Sequence, residues 1–332
     1  MNTKILEIDK NSLKLSKEII EDAGAVAFPT ETVYGLGANA FNTSAVENIF
    51  KIKGRPNDNP LIVHVHKDYD LNTLVDYVPD YAVRLAKAFL PGPLTMVYKS
   101  KGKVSSAVSC GLDTLAVRIP SHNGAQTFLK YLDLPIAAPS ANVSKHVSPT
   151  SAEHVFNDLN GKIELILDGG KCSGGIESTV LDCTGEIPVV LRSGLVTREM
   201  IEKVAGFCTE YAYKEGVAAR SPGMKYKHYS PACRTGLYAY NERQLAINEY
   251  NAEHGKGVNV YIMCDGKTAK EIGVDHILNL GFTENEIAAN LYSKLREGEK
   301  VAELIIAIAP EKQDGVMAGV MNRLKKACGS NL

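Results

Sequence analysis

The sequence is poor in several features that mark particular classes of protein. Its 37 lysines and arginines nearly balance 38 aspartates and glutamates, which leaves a formal net charge of −1. A chain so close to neutral is not a general nucleic-acid-binding protein, although a local basic groove is compatible with it. No apolar run approaches the roughly 18 residues of a membrane span, and no signal-peptide core is visible, so neither feature is expected.

Paired cysteines are also missing. The seven cysteines are scattered, their number is odd, and no Cys-X-X-Cys occurs. A disulfide framework or a zinc site is therefore not expected, and reduced thiols in a cytoplasmic protein are the natural interpretation. The hydrophobic fraction of 45% is that of a globular protein rather than of a disordered chain.

Short apolar segments alternate with helical patterns along most of the chain, which predicts an α/β fold. The periodicity stops between Gly206 and Pro231, where prolines, tyrosines and cations cluster. We therefore predict a first domain over residues 1–207, a linker over 208–232 and a smaller parallel-sheet domain over 233–332. Because the linker is aromatic and cationic, docking on a surface or a ligand is favoured over a passive spacer.

The chain is organised around one stretch, Phe28-Pro-Thr-Glu-Thr-Val-Tyr-Gly-Leu-Gly37. An apolar strand meets a proline there, and small polar side chains and two glycines follow. Polar groups at strand ends are where α/β proteins place ligand sites. The stretch Gly266-Lys267-Thr268 resembles the end of a phosphate-binding P-loop. It is discounted because Tyr261 stands where the first glycine of a P-loop belongs.

Cations recur at the ends of apolar segments, beside glycine, proline or serine. The cations are Lys53, Arg55, Arg118 and Arg192. Comparable loops carry the polar residues Ser140, Asn142, Ser148 and Ser178. Arginine and lysine neutralise phosphate, and serine and asparagine donate to its oxygens, so the set predicts a convergent anion site. No nucleophile or paired-carboxylate pattern stands out. Catalysis by positioning and charge neutralisation, as in phosphoryl or nucleotidyl transfer, is therefore favoured.

Seven motifs follow one another along the chain: Pro29-Thr-Glu-Thr-Val-Tyr-Gly-Leu-Gly37, Lys53-Gly-Arg-Pro56 with Asn59, Pro91-Gly-Pro-Leu-Thr95, Val117-Arg-Ile-Pro120, Ala138-Pro-Ser-Ala-Asn142, Ile176-Glu-Ser-Thr-Val180 and Leu191-Arg-Ser-Gly194. In this order they resemble the YrdC-type threonylcarbamoyl-AMP synthases, in their long two-domain form. The resemblance implies a twisted, mostly parallel α/β sheet around a deep groove, followed by a smaller Rossmann-like α/β domain.

The resemblance also implies a reaction. L-Threonine, bicarbonate or CO₂, and ATP would give threonylcarbamoyl-AMP and pyrophosphate, with Mg²⁺ expected beside the ATP. The product would serve N6-threonylcarbamoyladenosine formation in tRNAs that read ANN codons, through a downstream tRNA threonylcarbamoyl transferase complex. Direct contact with tRNA or double-stranded RNA stays open, and no membrane partner is expected.

Site residues carry over position by position. The threonine site would comprise Thr32, His64, Arg118, Ser178 and the Ala138 backbone. The ATP site would comprise Arg55, Asn59, Thr114, Ser140, Ser148, Arg192 and Tyr229. A catalytic polar quartet, expected to hold the triphosphate and the carbamate, would comprise Lys53, Arg55, Ser140 and Asn142. Tyr229 lies in the predicted linker, which would close over the nucleotide as a lid.

Two other interpretations are weighed against this one. A non-catalytic protein could use the same groove for double-stranded RNA or tRNA, with steep salt dependence and no ATP consumption. A carbamoyl-transfer module of a hydrogenase-maturation type is disfavoured because the chain lacks a zinc-ligand pattern and an acylphosphatase-like region.

Overall fold

The computed structural model describes residues 2–211 and 229–329, and it divides into two compact units. Within the described residues, the first unit comprises 2–144, 149–173 and 177–211. The second comprises 145–148, 174–176 and 229–329. The predicted domain boundaries stay a prediction, and most of the predicted linker, residues 212–228, lies outside the described residues.

The first unit is built on one sheet. Its strands are β1 (Lys4–Glu7), β2 (Val26–Phe28), β3 (Gly35–Asn39), β4 (Ile62–His64), β5 (Leu94–Lys99), β6 (Thr114–Arg118), β7 (Ile136–Ala138), β8 (Leu165–Asp168), β9 (Thr179–Asp182), β10 (Val189–Arg192) and β11 (Thr209–Glu210). They lie in the order β1-β8-β2-β3-β7-β4-β6-β5-β9-β10-β11. The sheet contains both parallel pairs, such as β4–β6 and β5–β9, and antiparallel pairs, such as β4–β7 and β5–β6.

Helices connect these strands. They are α1 (Lys10–Glu21), α2 (Thr43–Lys53), α3 (Asp80–Phe89), α4 (Ser106–Ser109), α5 (Asn123–Leu132), α6 (Ala152–Leu159) and α7 (Arg198–Ala205). Helix α2 shows how local sequence sets the bounds. The Asn42 side chain accepts the Ala45 N–H at its start, and Gly54 ends it in the left-handed region, at φ 60°. The glycine therefore fixes Lys53 as the last residue of the helix.

Strand β3 is not predicted from the sequence, because its two glycines favour turns and close backbone approach over strand formation. The structure gives them another role. A Cβ atom on Gly37 would lie 2.6 Å from Cγ2 of Ile136 and 2.9 Å from Cε1 of Phe28. The absence of a side chain therefore lets β3 pack within the sheet, between β2 and β7.

The second unit has a smaller sheet with only parallel pairs. Its strands β12 (Arg234–Tyr238), β13 (Val260–Cys264), β14 (Ile277–Asn279) and β15 (Leu304–Ile308) lie in the order β12-β15-β13-β14. Its helices are α8 (Arg243–His254), α9 (Gly266–Glu271), α10 (Glu284–Val301) and α11 (Val316–Cys328). The predicted class, a large α/β sheet followed by a smaller α/β unit, is confirmed. No helix in the described part of the chain is long and apolar enough to span a membrane.

Candidate active site

Neighbouring strands of the first unit hold several predicted site residues in register. His64 at the end of β4 lies opposite Arg118 at the end of β6, and Arg118 lies opposite Thr95 on β5. Residues directly opposite one another point to the same face of a sheet. Ser178, just before β9, places its hydroxyl 2.8 Å from that of Thr95. Strand register thus brings these four side chains into one row, which we call the strand-end row.

His64 is neutral in this row. Only 4% of its surface is exposed, and its ring packs edge-on against Phe28 with 5.7 Å between centroids. Burial, and then the nearby Arg118 guanidinium, lower the pKa of His64 from 6.5 to about 3. Nδ1 lies 3.1 Å from the Ile62 carbonyl oxygen, which can only accept, so Nδ1 carries the proton of this contact. An uncharged imidazole is therefore what a ligand meets here.

Arg118 is buried beside a carboxylate that the sequence analysis did not select. Its Nη2 lies 2.8 Å from Oε1 of Glu31, and both side chains are at least nine-tenths buried. The contact is close but poorly aligned, because neither atom makes a hydrogen bond within the described residues, and neither does Arg118 Nε. The other Glu31 oxygen accepts the Ser121 N–H at 3.1 Å. The guanidinium therefore keeps donors available for a further anion.

Thr32 and Ala138 both lie near strand β3, Thr32 in the turn that precedes it and Ala138 at the end of its neighbour β7. Thr32 is fully buried in the turn after β2, and its hydroxyl lies 2.9 Å from that of Thr30. Ala138 ends β7, which pairs with both β3 and β4. An acidic residue between two threonines, directly after a strand-ending proline, is the sequence signal that could have identified Glu31 as a member of this group.

Lys53 anchors a second group. Its side chain is buried, and its ammonium donates to the backbone carbonyls of Ser140 and Asn142 and lies 3.5 Å from Oδ1 of Asn142. Ser140 in turn donates its hydroxyl proton to that oxygen. Lys53 thus braces the loop after β7 from the end of α2. The structure places three members of the predicted quartet together, with the lysine positioned to hold the loop.

The fourth member, Arg55, contacts Asn59, a further residue predicted for the ATP site. It donates from Nη2 to the backbone carbonyl of Asn59 at 3.1 Å. The Asn59 side chain is 1% exposed, and neither its oxygen nor its nitrogen has a hydrogen-bond partner within the described residues. A buried amide of this kind is costly unless a ligand or water satisfies it. Thr114 starts β6, about 13 Å along the strand from Arg118, which is the length scale of a nucleotide.

Arg192 reaches the strand-end row through an irregularity. The pairing of β9 with β10 shifts register between Val190 and Arg192. The Arg192 side chain is buried, and it donates from Nε to the Ser178 carbonyl at 3.1 Å and from Nη2 to the Ser178 hydroxyl at 3.2 Å. A bulge that redirects one side chain is a recurrent device beside functional sites. Arg192 therefore contacts Ser178 from β10, whereas Thr95 contacts it from β5, on the other side of β9.

Ser148 and Tyr229, both predicted for ATP, belong to the second unit. Segment 145–148 is held there by Arg296, whose Nη2 donates to the Val147 carbonyl. The Tyr229 ring stacks on Tyr292 with 5.2 Å between centroids. Its φ of 69° lies in the left-handed region, which is uncommon outside glycine and typical of constrained positions.

Comparison with known proteins identifies the family. Residues 18–194 match the Sua5_yciO_yrdC family, described as telomere recombination, and residues 196–329 match the C-terminal domain of threonylcarbamoyl-AMP synthase. The threonylcarbamoyl-AMP synthase of Pyrococcus abyssi is 42% identical over 97% of this chain and 95% of its own length. The chain belongs to the threonylcarbamoyl-AMP synthase family. Like its curated relatives, it is therefore an enzyme.

Further relatives agree with the family assignment over nearly the whole chain. The Bacillus subtilis threonylcarbamoyl-AMP synthase is 42% identical over 95% of this chain and 92% of its own. The crystal structure of P. abyssi Sua5 complexed with L-threonine superposes with a TM-score of 0.91 at 40% identity, covering 98% of both chains. Both units of the fold are therefore features of the family.

Proposed function

We propose that this enzyme joins L-threonine, bicarbonate and ATP into threonylcarbamoyl-AMP and pyrophosphate. The observation that carries the proposal is the buried Arg118, which has unsatisfied donors in a row with neutral His64 and Ser178. A buried cation with spare, forked donors suits a carboxylate. The P. abyssi relative was crystallised with L-threonine, which supports threonine as the substrate.

In this proposal each end of threonine meets a group of suitable charge. The substrate carboxylate takes the free donors of Arg118. The substrate ammonium, whose nitrogen is two bonds from the carboxylate carbon, faces Glu31, and Glu31 already contacts Arg118. Because His64 stays uncharged, it does not repel the ammonium. Thr32, Ser178 and the Ala138 backbone enclose the remainder of the substrate.

The chemistry needs a proton acceptor and charge neutralisation. Threonine ammonium and bicarbonate give the carbamate, one water and one proton. Glu31 is the acceptor that we propose for that proton. A carbamate oxygen then attacks the α-phosphorus of ATP, and the bond to pyrophosphate breaks. Negative charge builds on phosphate oxygens, so fixed donors aimed at them accelerate this step.

We assign those donors to the predicted ATP residues. Arg55, the unsatisfied amide of Asn59 and the loop braced by Lys53 lie in the first unit. Thr114, Ser140 and Arg192 join them in the proposal, and Ser148 and Tyr229 stay predictions from the resemblance. The described residues contain no cluster of three His, Cys, Asp or Glu side chains for a metal. Mg²⁺ therefore fits as an ion carried by the ATP phosphates, where it would neutralise charge.

The wider role is proposed from the family. The product would pass, in the cytoplasm, to the tRNA threonylcarbamoyl transferase complex that modifies ANN-decoding tRNAs. Direct contact of this chain with tRNA or double-stranded RNA stays a prediction.

The test is pyrophosphate release from ATP with threonine and bicarbonate, each omitted in turn. We expect release only when all three are present, together with an adenylate of the threonylcarbamoyl mass. Tight, salt-sensitive RNA binding without any release would instead make the site a recognition surface, and the catalytic assignments would fail together.

A further inference from the structure

The second unit contains a cavity of about 520 Å³ at one edge of its sheet. Each of the four strands contributes to it through the loop that follows: Tyr240 comes after β12, Asp265 after β13, Phe282 after β14 and Pro310 after β15. The cavity therefore lies at the carboxyl ends of the parallel strands. That edge is where open α/β sheets bind ligands.

The strand order places the cavity at a switch in chain direction. Strands β13 and β15 are neighbours, but the chain leaves them toward opposite sides. After β13 it passes through α9 to β14, and after β15 it enters α11, which packs against β12. The two loops diverge and leave a crevice between them, lined by Lys267 on one side and Glu311 on the other. Its volume falls in the range of small-molecule sites.

The charge of this crevice selects among ligands. Four carboxylates line it, those of Asp265, Glu271, Glu284 and Glu311, against two ammonium groups. One of the two, Lys312, is already paired with Glu284 at 2.7 Å. Glu271 and Glu311 make no ion pair within the described residues. Among the lining side chains, carboxylates therefore outnumber ammonium groups by two, and two further cations beside the crevice, Arg243 and Lys270, lie against its aromatic rings.

The helix ends beside the crevice are closed to phosphate. Oδ1 of Asp265 accepts the N–H groups of Lys267 and Thr268 at the start of α9. Oε2 of Glu286 accepts the N–H groups of Phe282 and Thr283 before α10. Carboxylates of the chain thus occupy the positions that a nucleotide phosphate would need. The phosphate-loop-like stretch at 266–268 is accordingly not a phosphate site.

Two aromatic rings of the crevice already accept cations from the chain. The Lys270 ammonium lies 4.7 Å from the centroid of Phe282, and the Arg243 guanidinium carbon lies 4.8 Å from that of Tyr240. We propose that this crevice binds a small organic cation, an amine or guanidinium compound with a short apolar body. Its charge would meet Glu271 and Glu311, and its body the rings. The proposal is independent of the reaction assigned to the first unit.

The test uses agmatine as the probe and the full chain as the protein. With ¹³C-labelled methyl groups, the signals of two buried lining residues, Ile287 and Met317, report occupancy. We expect saturable shifts of both signals. The double variant Glu271→Gln/Glu311→Gln should weaken agmatine binding by at least about tenfold, or ~1.4 kcal/mol.

A matched control separates local binding from general charge. Glu18→Gln/Glu297→Gln removes the same charge from two glutamates, each more than half exposed, that do not line the crevice. It should bind agmatine like the wild type. Equal agmatine affinity in the two double variants would overturn the proposal, and so would methyl shifts caused by ATP but not by agmatine. Both variants should retain pyrophosphate release, so a failure here is distinct from a failure of the proposed reaction.

Discussion

The two units use the ends of their strands in opposite ways. In the first unit, the strand-end row and its surroundings hold polar groups that are buried and incompletely satisfied, such as Arg118 and Asn59. In the second, the polar groups at the strand ends are mostly exposed, and carboxylates of the chain such as Asp265 accept the free N–H groups at the helix starts. Buried unsatisfied donors are costly and persist where a ligand completes them, whereas capped helix ends need no ligand. The contrast supports our proposal that the chemistry takes place in the first unit.

Removing the buried cation should have the largest effect. Arg118→Gln leaves the Glu31 carboxylate buried without its counter-charge, so we expect a loss of about 3–5 kcal/mol in the free energy of unfolding. The kcat/KM for threonine should fall about 10³-fold, since two charge-assisted hydrogen bonds to the substrate are lost. Thermal unfolding and pyrophosphate release measure the two effects.

A double variant separates stability from catalysis at this pair. Glu31→Gln/Arg118→Gln removes both charges, so most of the lost stability should return while turnover stays low. Recovered turnover would show that the guanidinium serves only the fold.

Lys53 should come next in effect. Lys53→Met leaves the carbonyls of Ser140 and Asn142 without their donor, which should cost about 2 kcal/mol of stability and lower kcat about 10²-fold. Lys51→Met, on the exposed side of the same helix, is the matched control and should change neither quantity. A wild-type kcat in Lys53→Met would argue against a role for the braced loop.

Asn59 should show an effect on binding with little effect on stability. Because its amide has no partner within the described residues, Asn59→Ala should change the free energy of unfolding by less than about 1 kcal/mol. The KM for ATP should rise about tenfold, through the loss of one ligand contact. Asn57→Ala, at an exposed position in the same loop, controls for loop perturbation. An unchanged KM in Asn59→Ala would remove Asn59 from the ATP site.

The last prediction concerns the pH dependence of stability rather than turnover. The pKa of His64 is lowered from 6.5 to about 3, so between these values the unfolded chain binds a proton that the folded chain does not. The free energy of unfolding should therefore fall as the pH falls from 6.5 to 3, by up to about 1.4 kcal/mol per unit from this group. His64→Gln should remove that part of the slope. Above pH 6.5, the dependence of stability on pH should be the same in the variant and in the wild type. Urea unfolding at a series of pH values measures the difference, and equal slopes would contradict a buried neutral His64.

The sequence predicted the fold class and the neighbourhood of the site because helix stops and strand-end motifs are local signals. Gly54 ends α2, as a glycine after a helical pattern indicates, and the polar loop after β7 carries Ser140 and Asn142. Register is not local. The alignment of His64 with Arg118 depends on the pairing of two strands that are far apart in the sequence, and no motif specifies that pairing.

The parts of the candidate site and fold that could not be predicted from the sequence also have physical explanations. Glu31 was not selected because an acidic residue does not fit an expected anion site, yet a buried arginine needs its charge. Thr95 gains its place through its register with Arg118 and its hydroxyl contact with Ser178, and neither is visible in the sequence. Strand β3 could not be predicted, because Phe28 and Ile136, the neighbours that require Gly37 to lack a side chain, are known only once the strands are assembled.

The most direct test of the central claim compares L-threonine with its methyl ester in the pyrophosphate assay. The ester keeps the amine and the hydroxyl but lacks the carboxylate that Arg118 is proposed to bind. If Arg118 binds the carboxylate, the kcat/KM for the ester should be at least about 10²-fold below that for threonine, and the difference between the two substrates should be much smaller in Glu31→Gln/Arg118→Gln. Equal turnover of ester and threonine by the wild-type enzyme would contradict it.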